Sequence, residues 1–166
     1  MSVKFIDNSI KVKSALNDAC IAYLYEATHE LASQTKDNMP TGSWNSEIKN
    51  EWQVKVDVNK LEGVVGNPLE SSLWVEFGTG EHAINHDGHK GYWVYVPGDS
   101  THSAAYNGKS YTLEEAKRTV AWLKERGVEA RYTKGQRAKR PFFKAYKYLK
   151  PSLIKRAETV LKGRFK

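Results

Sequence analysis

Three histidines, His82, His86 and His89, fall within eight positions and are the first residues whose type and spacing suggest chemistry. Imidazoles ligate zinc well, and a fourth ligand could come from His102, Asp87 or Glu81. Such a set would make a small metal-dependent hydrolase. The surrounding Asn85, Gly88 and Gly91 offer no helical face to hold His82 and His86 together, and neither His-Glu-x-x-His nor a CxxC pair is present. A solvated polar loop is the simpler reading. The single cysteine, Cys20, falls on an apolar helical stripe rather than in a glycine-flanked turn, and Gly-x-Ser-x-Gly is absent. Gly78-Thr79-Gly80 lacks the lysine and the spacing of a phosphate loop. Glu114 and Glu115 fall in a first helical turn, where the helix dipole favours carboxylates. Nothing in these patterns marks an enzyme, and no metal or cofactor is expected.

The C-terminal segment carries a different chemistry. Between Thr133 and Lys166 there are twelve basic residues against the single acid Glu158, a charge of +11. The whole chain is +7, so its first 132 residues carry −4. Arg137, Lys139, Arg140, Lys144, Lys147 and Lys150 alternate with Phe142, Phe143, Tyr146 and Tyr148. Nucleic-acid binders combine charge and rings in this way. The same aromatics fall largely on the core stripe of a helix, which makes packing the competing reading. No helix-turn-helix or RNP-type signature accompanies them.

These residues need a scaffold. At 166 residues, with 40% hydrophobic and 27% charged side chains, the chain can bury a core without disulfides or metal. No apolar run approaches the ~18 residues of a membrane span. The N-terminus has no secretory h-region, so the chain is expected to be made and kept in a cytoplasm.

Val12, Leu16, Ala19, Cys20, Tyr23, Ala27 and Leu31 recur every three or four positions and predict a helix from about Asn8 to Lys36. Pro40 and Gly42 end it. Trp52, Val54, Val56 and Val58 alternate with polar residues and predict a strand, turned at Lys60-Leu61 and returned by Glu62 to Gly66. A short helical or irregular stretch follows Pro68. Residues 81 to 110 read as an excursion holding a strand at Tyr92 to Val96 and a polar, mobile segment from Asp99 to Lys109. Thr112 and Glu115 form a capping box for a helix carrying Ala116, Val120 and Leu123, stopped by Gly127. Pro141 opens the last helix. Its stripe is Phe142, Ala145, Tyr146, Leu149, Leu153, Ala157, Val160 and Leu161, and Pro151 is expected to kink or split it. The expected class is α+β: one domain, with a small antiparallel sheet packed against long N- and C-terminal helices and an inserted strand and helix.

Two segments carry a resemblance. Val64-Val65-Gly66 precedes Leu73-Trp74-Val75-Glu76-Phe77-Gly78-Thr79, and Gly135-Gln136-Arg137-Ala138-Lys139-Arg140-Pro141-Phe142-Phe143-Lys144-Ala145 opens the last helix. In order and spacing they resemble the "VG…YxxxVEFGT" and "G…(R/P)PF(L/F)xxA" patterns of the head–tail joining or tail-completion proteins of long-tailed bacteriophages. Leu69 to Ser72 replaces the tyrosine-alanine pair of that family. Thr41-Gly42 with Ser46 is a weaker match to "TGxLxxS". The resemblance covers the chain outside a variable insert at about 81–133.

The resemblance implies a non-enzymatic protein that joins the head connector to the tail, or completes the tail end, as a homo-oligomeric ring. Its partners would be connector and tail-tube or tail-terminator proteins, with DNA nearby in the channel and no membrane. It would be found in the virion neck or tail, and in the host cytoplasm during assembly. Glu76, Thr79, Gly80, His82, Arg137, Lys139 and Arg140 are the expected interface residues. Phe77 is expected to anchor the turn in the core, leaving Glu76 to an adjacent subunit or to a base such as Arg140. The alternatives are a nucleic-acid-binding protein using the basic last helix, and the hydrolase built on His82, His86 and His89.

Overall fold

The computed structural model describes residues 9–98 and 109–163. The fold is α+β, and the chain divides into two compact units. The first comprises Met1–Leu69 and Pro141–Lys166, and the second Glu70–Arg140. Among the described residues no helix is long and apolar enough to cross a membrane.

In the first unit, α1 (Ser9–Asn38) packs along α5 (Pro141–Gly163). Ala32 and Thr35 from α1, and Ala145 and Leu149 from α5, are buried, as are Met39 and Ile48. The small side chains of Ala32, Thr35 and Ala145 let the helices approach closely. Thr28 and Thr35 tolerate burial because their hydroxyls donate to the carbonyls of Leu24 and Leu31, one turn back. Three contacts fix the register of the pair. The Tyr23 hydroxyl donates to the Leu153 carbonyl at 2.6 Å, and the Asn38 amide group to the Pro141 carbonyl at 3.2 Å. Arg156 of α5 reaches both Glu26 and Glu30 of α1.

The predicted hairpin is present as β1 (Gln53–Asp57) and β2 (Glu62–Gly66), antiparallel, with Val54 opposite Val65 and Val56 opposite Gly63. It lies against α1. Gly63 permits this approach, since a Cβ there would stand 2.5 Å from the Thr28 methyl. The turn is longer than expected, spanning residues 58–61, and Asp57 holds it by accepting from the amides of Asn59 and Lys60. Val58, expected on the half-buried side of the strand, accordingly falls in the turn and is exposed.

A short helix, α2 (Ser43–Asn50), was not expected from the pattern; Ile48 anchors it. Pro151 does not split α5, which runs through it with the proline ring at the exposed surface.

In the second unit, α3 (Glu70–Phe77) leads into a single 3-10 turn, Gly80–His82. The expected strand is reduced to β3 (Trp93–Tyr95), which pairs with β4 (Arg131–Thr133), a partner the pattern had not revealed. The capping box at Thr112 and Glu115 is formed in both directions and starts α4 (Leu113–Lys124). Ala116 and Leu123 of α4 cover Val94, giving a core edged by Tyr92, Tyr111, Val120, Val128 and Ala130. Most of the segment expected to be mobile, Asp99 to Gly108, lies outside the described residues.

Candidate functional site

The site assembles at the C-terminal end of α3, where a helix leaves its last carbonyls without partners. Gly78 takes a left-handed conformation, φ 76°, and turns the chain out of the helix while its amide closes on the Trp74 carbonyl at 2.9 Å. A side chain is also excluded there by space. A Cβ on Gly78 would stand 2.7 to 2.9 Å from the His82 carbonyl, the Gln136 carbonyl and the Ala138 amide nitrogen. The Val75 carbonyl accepts from the amides of Lys139, at 2.8 Å, and Arg140, at 3.4 Å. The Phe77 carbonyl accepts from Ile84 at 2.9 Å.

The segment that satisfies Val75 is the one that precedes the last helix. It continues alongside the turn: the Thr79 amide donates to the Gln136 carbonyl, the Gln136 amide to the Thr79 hydroxyl, and the Glu81 amide to the Lys134 carbonyl. An ion pair between Lys134 and Glu81, 3.5 Å, lies beside the last of these. The Glu81 carboxyl also accepts from the Gly91 amide, and that bond, followed by the Lys134 charge, holds it below the ordinary carboxylate range. Thus the Glu-Phe-Gly-Thr segment and the Gly-Gln-Arg-Ala-Lys-Arg segment form one hydrogen-bonded assembly within the second unit.

All seven expected interface residues belong to it or border it. Glu76 is half-buried in the last turn of α3, Thr79 is half-buried, and Gly80 is buried. His82 is half-buried at the end of the 3-10 turn. Arg137 and Lys139 are exposed, and Arg140 is half-buried with a left-handed backbone, φ 57°, held between its amide bond to Val75 and Pro141.

Phe77 does not anchor the turn in the core as expected, being 46% exposed. Val75 takes the inward position instead and is fully buried. Leu73 (53% exposed) and Trp74 (44%) share the outward side with Phe77, and Ile84, bonded to the Phe77 carbonyl, is exposed beside it. Four large apolar side chains, Leu73, Trp74, Phe77 and Ile84, are thus exposed near one another. The sequence signal was available: in a short apolar helix one side must face out, and Ser72 and Val75 mark the inward one.

The histidines do not share a common environment. His89 shares a hydrogen bond with Ser110, 3.2 Å, and meets the edge of Trp93, while His86 is exposed. Among the described residues no three of His, Cys, Asp and Glu converge as a metal-holding group; His102 lies outside them.

The aromatics of α5 also depart from expectation. Phe142 is half-buried and stacks on Trp52 at 5.6 Å, but Phe143, Tyr146 and Tyr148 are exposed, Tyr148 by 74%. Of the four rings, Phe142 is the one that is not exposed. Comparison with protein-family models, with curated proteins and with solved structures finds no match for this chain.

Proposed function

We propose that this chain is a non-enzymatic assembly protein of a long-tailed phage, joining the head connector to the tail or completing the tail end as a ring of copies. The observation that carries the reading is the outward patch of Leu73, Trp74 and Phe77, on the segment that runs from Leu73 through Glu-Phe-Gly-Thr. That segment carries the resemblance to head–tail joining proteins, and its exposed apolar side would gain by being covered in an assembly. The rigid backing supplied by residues 134–140 supports the same role, because a docking surface gains affinity when it is ordered before binding. The segregated charge, +11 in the last segment against −4 in the rest, suits head-to-tail contacts between copies that close a ring. Connector and tail-tube or tail-terminator proteins are the proposed partners, and the virion neck or tail the proposed location.

Deleting the gene in the source phage and imaging the lysate by electron microscopy tests the role. DNA-filled heads and tails that fail to join, or tails with aberrant ends, are expected. Complementation with Leu73→Ser/Phe77→Ser should leave the defect in place while the variant folds normally. Intact virions from the deletion would reject the proposal.

A further inference from the structure

The outer face of α5 has no role in the fold described above. Lys144, Lys147, Lys150 and Lys155 are all exposed on it, and from Pro141 to Ala157 the helix contains no acid. Two helical lysines are offset by a carboxylate one turn away, Lys117 by Glu114 at 3.1 Å and, at the far end of α5, Lys162 by Glu158 at 3.4 Å. On the buried side of the same helix, Arg156 is satisfied by Glu26 and Glu30. Among the described residues no carboxylate pairs with Lys144, Lys147, Lys150 or Lys155, and Lys150 lies over the Tyr146 ring at 5.5 Å. Lysines three apart repel one another on a helix, so a purely structural face would mix the two signs. This one tolerates the repulsion.

We infer that the outer face of α5 binds duplex DNA, seated along the groove and its phosphates without reading sequence. The four lysines extend over about 16 Å of helix axis, at 1.5 Å per residue. At ~100° per residue, Lys150 lies on one shoulder of the face, Lys144 and Lys155 on the other, and Lys147 between them. An α-helix about 10–12 Å across fits a major groove about 12 Å wide, and shoulders of opposite side then meet opposite phosphate rows. A single strand is the poorer fit. Its binders present a groove with successive stacking rings, whereas this face is convex and only Tyr148 stands largely clear of the surface. The inference uses α5 alone and does not depend on the joining role.

Fluorescence anisotropy with the full purified chain and a labelled 30-base-pair duplex tests it. Four phosphate contacts predict a salt slope near −3.6, so raising salt from 50 to 200 mM should weaken binding about 150-fold. Replacing Lys144, Lys147 and Lys155 together by Gln should weaken binding at least tenfold and flatten the slope by about 2.7. A charge-matched control, Lys49, Lys55 and Lys60 to Gln, removes exposed lysines from α2 and the hairpin of the same unit and should change neither. Circular dichroism on both variants, and the single variant Lys147→Glu, separate lost binding from lost folding. Equal losses in the two triple variants would overturn the inference, as would absence of binding at 50 mM salt. So would single-stranded DNA binding as tightly as the duplex, or poly-glutamate competing equally, which would point to an acidic protein partner.

Discussion

Thr79 and Gln136 are joined twice, the Thr79 amide donating to the Gln136 carbonyl and the Gln136 amide to the Thr79 hydroxyl, each at 2.9 Å. The pair spans 57 positions and holds the turn after α3 to the segment before α5. Removing the hydroxyl leaves a partly buried amide without its acceptor, which costs about 1–3 kcal/mol. Thr79→Val should therefore lower stability to urea by that amount, and Thr79→Ser by much less. Amide exchange at Gln136 should quicken in the Val variant alone. Equal behaviour of the two would mean that the hydroxyl does not hold the segment.

Gly78→Ala should be more damaging. Its left-handed backbone costs an L residue about 1–2 kcal/mol. The new methyl meets three backbone atoms, none of them able to swing aside as a side chain would. Overpacking adds about 1–3 kcal/mol. Thermal unfolding of this variant should fall well below that of Gly98→Ala, where the backbone is also left-handed but nothing lies within 4 Å.

Acid should loosen the second unit. Glu81 is held below its ordinary pKa first by the Gly91 amide and then by Lys134, and Glu115 by the Thr112 amide and hydroxyl. A carboxyl depressed in the folded state contributes stability that is complete above its unfolded pKa, about 4.3, and is lost as pH falls through the folded value. Carboxyl titration by NMR should place both midpoints below that value. Glu81→Gln should flatten the loss of stability on acidification.

Alkali acts on the first unit with the opposite sign. Burial pushes the Tyr23 phenol above its ordinary pKa, against the opposing pull of Arg156. Its contribution is complete below about pH 10 and is lost as pH rises through the folded value. Tyr23→Phe, which removes the bond to Leu153, should cost about 1 kcal/mol at neutral pH and abolish this alkaline component. Stability measured by denaturant at a series of pH values distinguishes this variant from the parent chain.

The long elements could be read directly because their buried faces repeat. Ala145 and Leu149 of the expected α5 stripe are buried, and the Thr112–Glu115 box is local chemistry. In α1 the expected Ala27 and Leu31 are half-buried, while the buried Thr28 and Ala32 each stand one position further on, because small side chains at the closest approach carry little hydrophobic signal. Helix α2 was missed because eight residues hold too few turns to display a period. Strand β4 was missed because three residues show no alternation. The link from Thr79 to Gln136 is largely carried by the backbone, which no residue pattern encodes across such a separation. The rings of α5 misled for a simpler reason: Phe142, Phe143, Tyr146 and Tyr148 crowd more than one side of a helix, so they cannot all face inward.

The division of the first unit between the two ends of the chain has a consequence during synthesis. The contacts that seat α1 on α5 join residues 103 and 130 positions apart, at Asn38–Pro141 and Tyr23–Leu153. At about 5–20 residues per second, α1 waits roughly 5 to 25 seconds after leaving the ribosome before its partner follows. Throughout that interval α1 has the hairpin to pack on but lacks the cover that α5 supplies, while the second unit, contiguous in sequence, can fold first. Newborn chains are therefore most vulnerable to aggregation and proteolysis at α1, and a ribosome stalled before Pro141 releases a product with a folded middle and an unpaired first helix.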